Sequence, residues 1–206
     1  MSEISRVALF GKLNPVAYKA IEGATVFCKL RGNPYVELEH WVMQIVQAQD
    51  TDWHRVIRHF GLDVNVLARD ITAALDRLPR GSTSISDLAD NISDSVERGW
   101  VYGTLKFGEA QVRTGHLLFG MLKTRSLANR LLGISKEFDK IQPDVLGDDF
   151  GKITAGSPEE ADFLEAGLAL ADIPGVEKFE RLRQVSAKNG FAFGFSMEFA
   201  DRAAYA

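Results

Sequence analysis

Between residues 13 and 31 (LNPVAYKAIEGATVFCKLR) apolar side chains recur at helical spacing. At ~100° per residue, Leu13, Ala17, Ala20, Ile21, Ala24 and Cys28 share one arc. Val16, Gly23, Val26, Phe27 and Leu30 widen that arc until a narrow polar strip remains, so this helix is expected to be covered on two sides. Asn14 before Pro15 predicts its start, and Gly32-Asn33-Pro34 its stop. Shorter helices are expected at about 37–48, 52–60 and 63–78, followed by a linker at Pro79–Ser84 (PRGSTS).

The plan then repeats. A second long helix is expected over 86–106, with shorter ones at about 114–123, 125–132 and 135–146. Leu13, Ile21, Glu22 and Leu30 match Leu88, Val96, Glu97 and Leu105 at an offset of 75. Val36 and His40 match Val112 and His116 at an offset of 76, which places one inserted residue in the intervening loop. Such a register implies an internal duplication of a four-helix unit, with the long helices of the two copies packed together.

Past Ile141-Gln142-Pro143 the pattern changes. Residues 147–158 (GDDFGKITAGSP) are turn-rich and read as a linker, with 151–157 as its core. A helix is expected from Pro158 to about Asp172, then strands at Val176–Val185 and Phe191–Phe199. In the second strand Phe191, Phe193, Phe195, Met197 and Phe199 alternate at period 2, and Asn189-Gly190 reads as the hairpin turn. A face with four phenylalanines must pack on something or pair with another copy.

Composition narrows the function. With 24 basic and 28 acidic residues the net charge is −4, and no basic stripe of the kind nucleic-acid binders carry is present, so no nucleic-acid partner is expected. Cys28, the only cysteine, has no partner within the sequence, which fits a reducing, cytoplasmic setting. No apolar run is long enough to span a membrane, and the N-terminus does not read as a signal peptide. His40, His54, His59 and His116 lack metal-site spacing, so neither metal nor cofactor is expected. Glu22 and Glu97 are read as duplicated surface or packing residues, Trp100, Tyr102 and Phe107 mainly as core, and Arg80 and Arg113 as rim charges for an acidic peptide. Gly11-Lys12 and Gly151-Lys152 lack the rest of a phosphate-binding loop, so no ATP hydrolysis, and no enzyme activity, is expected of this sequence.

The duplicated unit resembles the N-terminal domain of Clp-type AAA+ unfoldases. The long helices and the Glu39-His40-Trp41 and Gly115-His116-Leu117-Leu118 starts of the second helices carry the likeness. Within that family it is most similar to the ClpV group of type VI secretion, through Leu75–Ser86 (LDRLPRGSTSIS), Val96–Tyr102 (VERGWVY), Gln111–His116 (QVRTGH) and Leu132–Lys140 (LGISKEFDK).

The resemblance covers residues 1–150 and implies a mainly α fold of two Clp N-type repeats in one bundle. It also implies a cytoplasmic role in sheath recycling, through capture of an amphipathic helix from a contractile-sheath protein, and a hexameric full-length relative. A leading helix at Ser2–Lys12 is implied to help form the groove. The expected partner-binding residues are Ile4, Val7, Ala8, Phe10, Leu13, Val16, Ala17 and Gly23, although closure of the core explains the same apolar residues. A general Clp N domain that docks adaptors or unfolded segments is the alternative within the same fold. Residues 158–206 form the second expected unit, a small α/β segment. Within it, Leu170–Arg202 resembles a fragment of stress-responsive dimeric α/β-barrel domains, a ferredoxin-like unit whose first strand is absent, and dimerisation through the phenylalanine face is a further alternative.

Overall fold

The computed structural model describes residues 5–156, 160, 163, 167, 169–183 and 193–201. Helix α1 is Arg6–Phe10 and α2 is Pro15–Arg31. The Asn14 side chain accepts from the Ala17 amide, and Gly32, at φ +69°, closes α2 in the left-handed conformation that glycine adopts without strain. Strand β1 (Tyr35–Val36) leads into α3 (Leu38–Gln47), α4 (Asp52–His59) and α5 (Val64–Asp76). The second copy runs β2 (Asp87–Leu88), α6 (Asp90–Leu105), α7 (Thr114–Leu122) and α8 (Arg125–Ile134).

The two copies are tied by reciprocal parallel pairing. Val36 of the first copy pairs with Leu88 of the second, while Leu13 of the first bridges Val112 of the second. These are the positions related by the 75- and 76-residue offsets, so the sequence duplication becomes an approximate two-fold in space. The pairing also explains why α6 begins at Asp90 instead of at 86: Asp87 and Leu88 are extended and spent on the ladder.

Small side chains let the long helices sit deep in the core. Ala17, Ala24 and Cys28 on α2 are fully buried, as are Ile92 and Val96 on α6. At Gly99 an added Cβ would lie 2.9 Å from Val112 Cγ1, so α6 reaches its neighbours only without a side chain there. The Cys28 Sγ lies 3.1 Å from the Tyr35 carbonyl, and burial pushes its thiol pKa up.

Two further expectations change. The helix expected over 135–146 divides into a 3-10 turn at Lys136–Lys140 and α9, Pro143–Asp148. Pro143 has no amide hydrogen to donate and forces Gln142 to be extended, so the two pieces cannot join. The expected linker at 147–158 instead holds the last two residues of α9 and then α10, Phe150–Ile153. Phe150 stacks on Phe107 at 4.1 Å and on His116 at 5.0 Å, which holds this segment against the second repeat. Its glycines and aspartates read as turn residues, but Phe150 and Ile153, three apart, make one apolar helical face.

In the C-terminal segment, Glu160, Phe163 and Gly167 are helical and Ala169–Asp172 forms a 3-10 turn. Strands β3 (Val176–Arg183) and β4 (Phe193–Phe199) pair antiparallel, Phe179 opposite Met197. Phe195 stacks on Phe163 at 4.8 Å and on Phe179 at 5.1 Å. The expected turn at Asn189-Gly190 and residue Phe191 lie outside the described residues.

Candidate functional site

Two polar centres hold the frame. His40 and His116 occupy equivalent positions at the starts of α3 and α7, and each ring Nδ1 accepts from a backbone amide three residues back, Glu37 and Arg113 respectively. That leaves Nε2 as the protonated nitrogen of a neutral imidazole. Burial pushes both down to about 4. The His40 Nε2–H donates to Asn33 Oδ1 at 3.0 Å, whereas the Nε2 of His116 has no hydrogen-bond partner among the described residues and lies 3.9 Å from Glu109 Oε1.

The second centre is a correction to the expected rim role of Arg113. The guanidinium is buried between the repeats and makes a two-point pair with Asp52, Nε donating to Oδ2 at 3.1 Å. Asp52 also accepts from the Gly115 amide at 3.0 Å, and the neighbouring Trp53 donates to the Thr114 carbonyl at 2.8 Å. Although burial opposes it, Arg113 with the Gly115 amide holds the Asp52 carboxyl below its usual range. Arg113 belongs to the core because its fork matches a carboxylate that α4 presents to the first turn of α7. Arg80 is exposed and pairs with Asp76.

A groove of about 580 Å³ opens between α2 and α3. Val16, Lys19, Ala20, Glu22, Gly23 and Val26 supply the α2 side. Gln44 and Gln47 of α3, with Ala48 and Gln49 just beyond it, supply the other. Val16 and Val26 are 38% and 60% exposed, leaving apolar surface that the bundle does not cover. The opposite face of α3, with Trp41, Val42 and Ile45, is fully buried.

The matching seam of the second repeat is closed. Position 44 corresponds to Gly120 and position 23 to Arg98. A Cβ on Gly120 would stand 2.8 Å from both the Arg98 carbonyl carbon and the Gly99 nitrogen, so α7 lies directly on the α6 backbone. In the first repeat the glycine is instead on α2, at Gly23, and the long Gln44 side chain lies between the helices. The exchange of one side chain across the seam thus accompanies an open groove in one copy and a closed contact in the other.

Of the expected site residues, the structure brings Val16 and Gly23 into this groove. Phe10, Leu13 and Ala17 are buried in the core. Val7 and Ala8 are exposed on α1, and Ile4 lies outside the described residues. Helix α1 packs on α6, where Arg6 pairs with Asp87, and none of its described residues lines the groove that the leading helix was expected to help form. Sequence reasoning missed Gln44, Gln47 and Gln49. Their signal was a run of neutral amides on the outer side of α3 and just past its end, opposite the uncovered Val16–Gly23–Val26 stripe of α2, while the inner face of α3 is strongly apolar.

The aromatic trio reads largely as packing: Phe107 stacks with Phe150 and His116, Tyr102 meets Phe119 edge-on, and Lys12 lies over the Trp100 ring at 4.5 Å. Among the described residues no group of three metal-binding side chains converges, and no helix is long and apolar enough to cross a membrane.

This architecture, two copies of a helical unit joined about an approximate two-fold with one seam open, defines a helical double-repeat domain. The family model of the Clp repeat (R) N-terminal domain matches residues 12–133, and the chain belongs to that family. It is similar to the AAA+ ATPase ClpV1 of Pseudomonas aeruginosa, 58% identical over 179 residues that take in 85% of this chain and 20% of ClpV1. That share necessarily reaches past residue 158, into the segment expected as a separate unit. A solved structure from work on the coevolution of the ATPase ClpV, the TssB–TssC sheath and the accessory HsiE protein is 62% identical, with a TM-score of 0.74 over 77% of this chain and 98% of that one. A ClpV N-domain in complex with a VipB peptide has the same fold at 21% identity, with a TM-score of 0.65 over 77% of this chain and 97% of that one. The chain spans about a fifth of the length of the curated relatives it matches.

Proposed function

We propose that this chain is the substrate-recognition domain of a ClpV-like unfoldase of type VI secretion, and that its α2–α3 groove takes an amphipathic helix from a contractile-sheath protein. The observation that carries the reading is the uncovered apolar floor from Val16 to Val26 in a groove of about 580 Å³. Ten residues of α2 separate those valines, ~15 Å at 1.5 Å per residue, or about three turns of a guest helix. Neutral amides on the α3 side exclude no charge type, so apolar burial supplies most of the affinity and moderate salt changes it little. The high identity to a ClpV studied with its TssB–TssC sheath, and the VipB peptide on a ClpV N-domain of the same fold, support the choice of partner.

In this reading the ATP-driven step belongs to the remainder of a cytoplasmic, hexameric protein, and the domain described here selects and holds the substrate. The test is binding of labelled peptides covering the N-terminal segments of the cognate TssB and TssC to the intact chain. A Val16→Glu/Val26→Glu double variant places two charges where a guest would desolvate them, and is expected to weaken binding by at least about tenfold with little loss of fold. Equal affinity for native and scrambled peptides, or full binding by that variant, overturns the proposal. Preferential binding of an unfolded casein would favour a general adaptor role instead.

A further inference from the structure

At the middle of the groove Gly23 and Gln44 face one another. A Cβ on Gly23 would lie 2.5 Å from Gln44 Oε1 and 3.3 Å from its Cδ, so the amide occupies the space that a side chain at position 23 would take. Val16 and Val26 stand on either side along α2, ~10 Å and ~5 Å away along the axis, making a notch between two apolar shoulders. The hydrogen bond from Gln44 Nε2 to Gln47 Oε1 is 3.5 Å long and exposed, at the limit of what counts as a bond. A flexible side chain held by so little is easily moved. In the second repeat the position equivalent to 44 is Gly120, with no side chain to move, and the seam is shut by backbone contact.

We propose that Gln44 is the gate of the groove and sets the size of the side chain it accepts, a proposal that rests on the helix-docking reading above. In the empty domain the Gln44 amide fills the notch over Gly23. A guest helix with a large apolar side chain at that point displaces it outward beside Gln47 and Gln49, where water satisfies the amide again. The guest side chain is then buried between Val16 and Val26. A guest with alanine at the same point leaves Gln44 where it is and gains nothing from the notch. Gln44 is a specificity-determining residue because displacing it costs only guests that use the notch.

The experiment compares the intact wild-type chain with Gln44→Ala. Its probes are the peptides covering the N-terminal segments of the cognate TssB and TssC, together with single-alanine variants of the binding peptide at each large apolar residue. Removing the gate is expected to tighten the parent peptide about three- to tenfold, the scale of freeing one flexible side chain, while leaving the peptide without the notch residue unchanged. The penalty for alanine at that one position therefore grows in the variant. Equal shifts for both peptides, no shift, or weaker binding of the parent by a Gln44→Ala chain with wild-type thermal unfolding overturns the gate. If the wild-type chain binds no peptide better than its scrambled control, the groove reading fails and the gate with it. Wild-type binding without coupling between position 44 and the guest residue removes the gate alone.

Discussion

Replacing Gly23 and Gly120 by alanine, one at a time, is expected to move stability in opposite directions, although both glycines lie inside helices on the same seam of the duplicated unit. An alanine in a helix interior gains about 1 kcal/mol over glycine through reduced chain entropy in the unfolded state. At Gly23 the new methyl meets the far end of Gln44, which swings away, so most of that gain survives as about 0.5–1 kcal/mol. At Gly120 the methyl would stand 2.8 Å from two backbone atoms of α6, and α6 and α7 must separate to admit it. Overpacking of that kind costs ~1–3 kcal/mol, and with backbone on the other side the upper part of the range applies, a net loss of about 1–2 kcal/mol. For a chain of this length ~1 kcal/mol corresponds to about 2–4 °C. Thermal unfolding followed by circular dichroism should therefore rise by about 2 °C in Gly23→Ala and fall by about 4 °C or more in Gly120→Ala. Shifts of the same sign, or a harmless alanine at 120, would refute the account of one seam propped open and its counterpart closed.

Acid should destabilise the domain well above the carboxylate range. The folded imidazoles of His40 and His116 are pushed down to about 4, while the unfolded chain protonates them near 6.5. The unfolded state therefore binds more protons below that value, so stability is full above it and falls as pH drops toward 4. For His116 the loss is about 1.4 kcal/mol per pH unit, ~3 kcal/mol across the window. Urea midpoints between pH 7 and 5 should decline, partly offset at the acid end by Glu37, whose carboxyl is raised by burial; flat midpoints would contradict the neutral-histidine assignment. Truncation of Asp52 to alanine removes the two-point partner of the buried Arg113 and leaves it only Glu109, whose Oε1 accepts from Nη1 at 3.0 Å, so it should cost ~3 kcal/mol, the low end for breaking a buried pair, readable as a lower denaturant midpoint, whereas Arg80→Ala should change it by less than about 0.5 kcal/mol. The Val16→Glu/Val26→Glu variant should weaken peptide capture by at least about tenfold without the stability loss of Asp52→Ala.

The fold was legible where local signals agree. Asn14, Pro15 and Gly32 bound α2, and the matched leucines, glutamates and histidines disclose the duplication from the sequence alone. Short segments were harder. Asp87–Leu88 read as helix because nothing local reveals that a strand of the other copy waits beside it. Phe150–Ile153 read as linker because its glycines and aspartates outweigh two apolar residues until those residues find Phe107 and His116. Arg113 read as a surface charge because a lone arginine in sequence carries no sign of the Asp52 that neutralises it from 61 positions away.

By itself, then, the amino-acid order determined the repeat, its offset and the surplus of apolar surface on α2, since helical periodicity and capping are properties of neighbours along the chain. Only the tertiary structure decided where that surplus stays uncovered. Helix α1 settles on α6, so it does not cover the Val16–Val26 stripe, and the side chain of residue 44 stands in the seam where residue 120 has none. Those outcomes depend on which surfaces meet across the two-fold, and contacts between residues far apart in the chain leave no periodic trace in either partner.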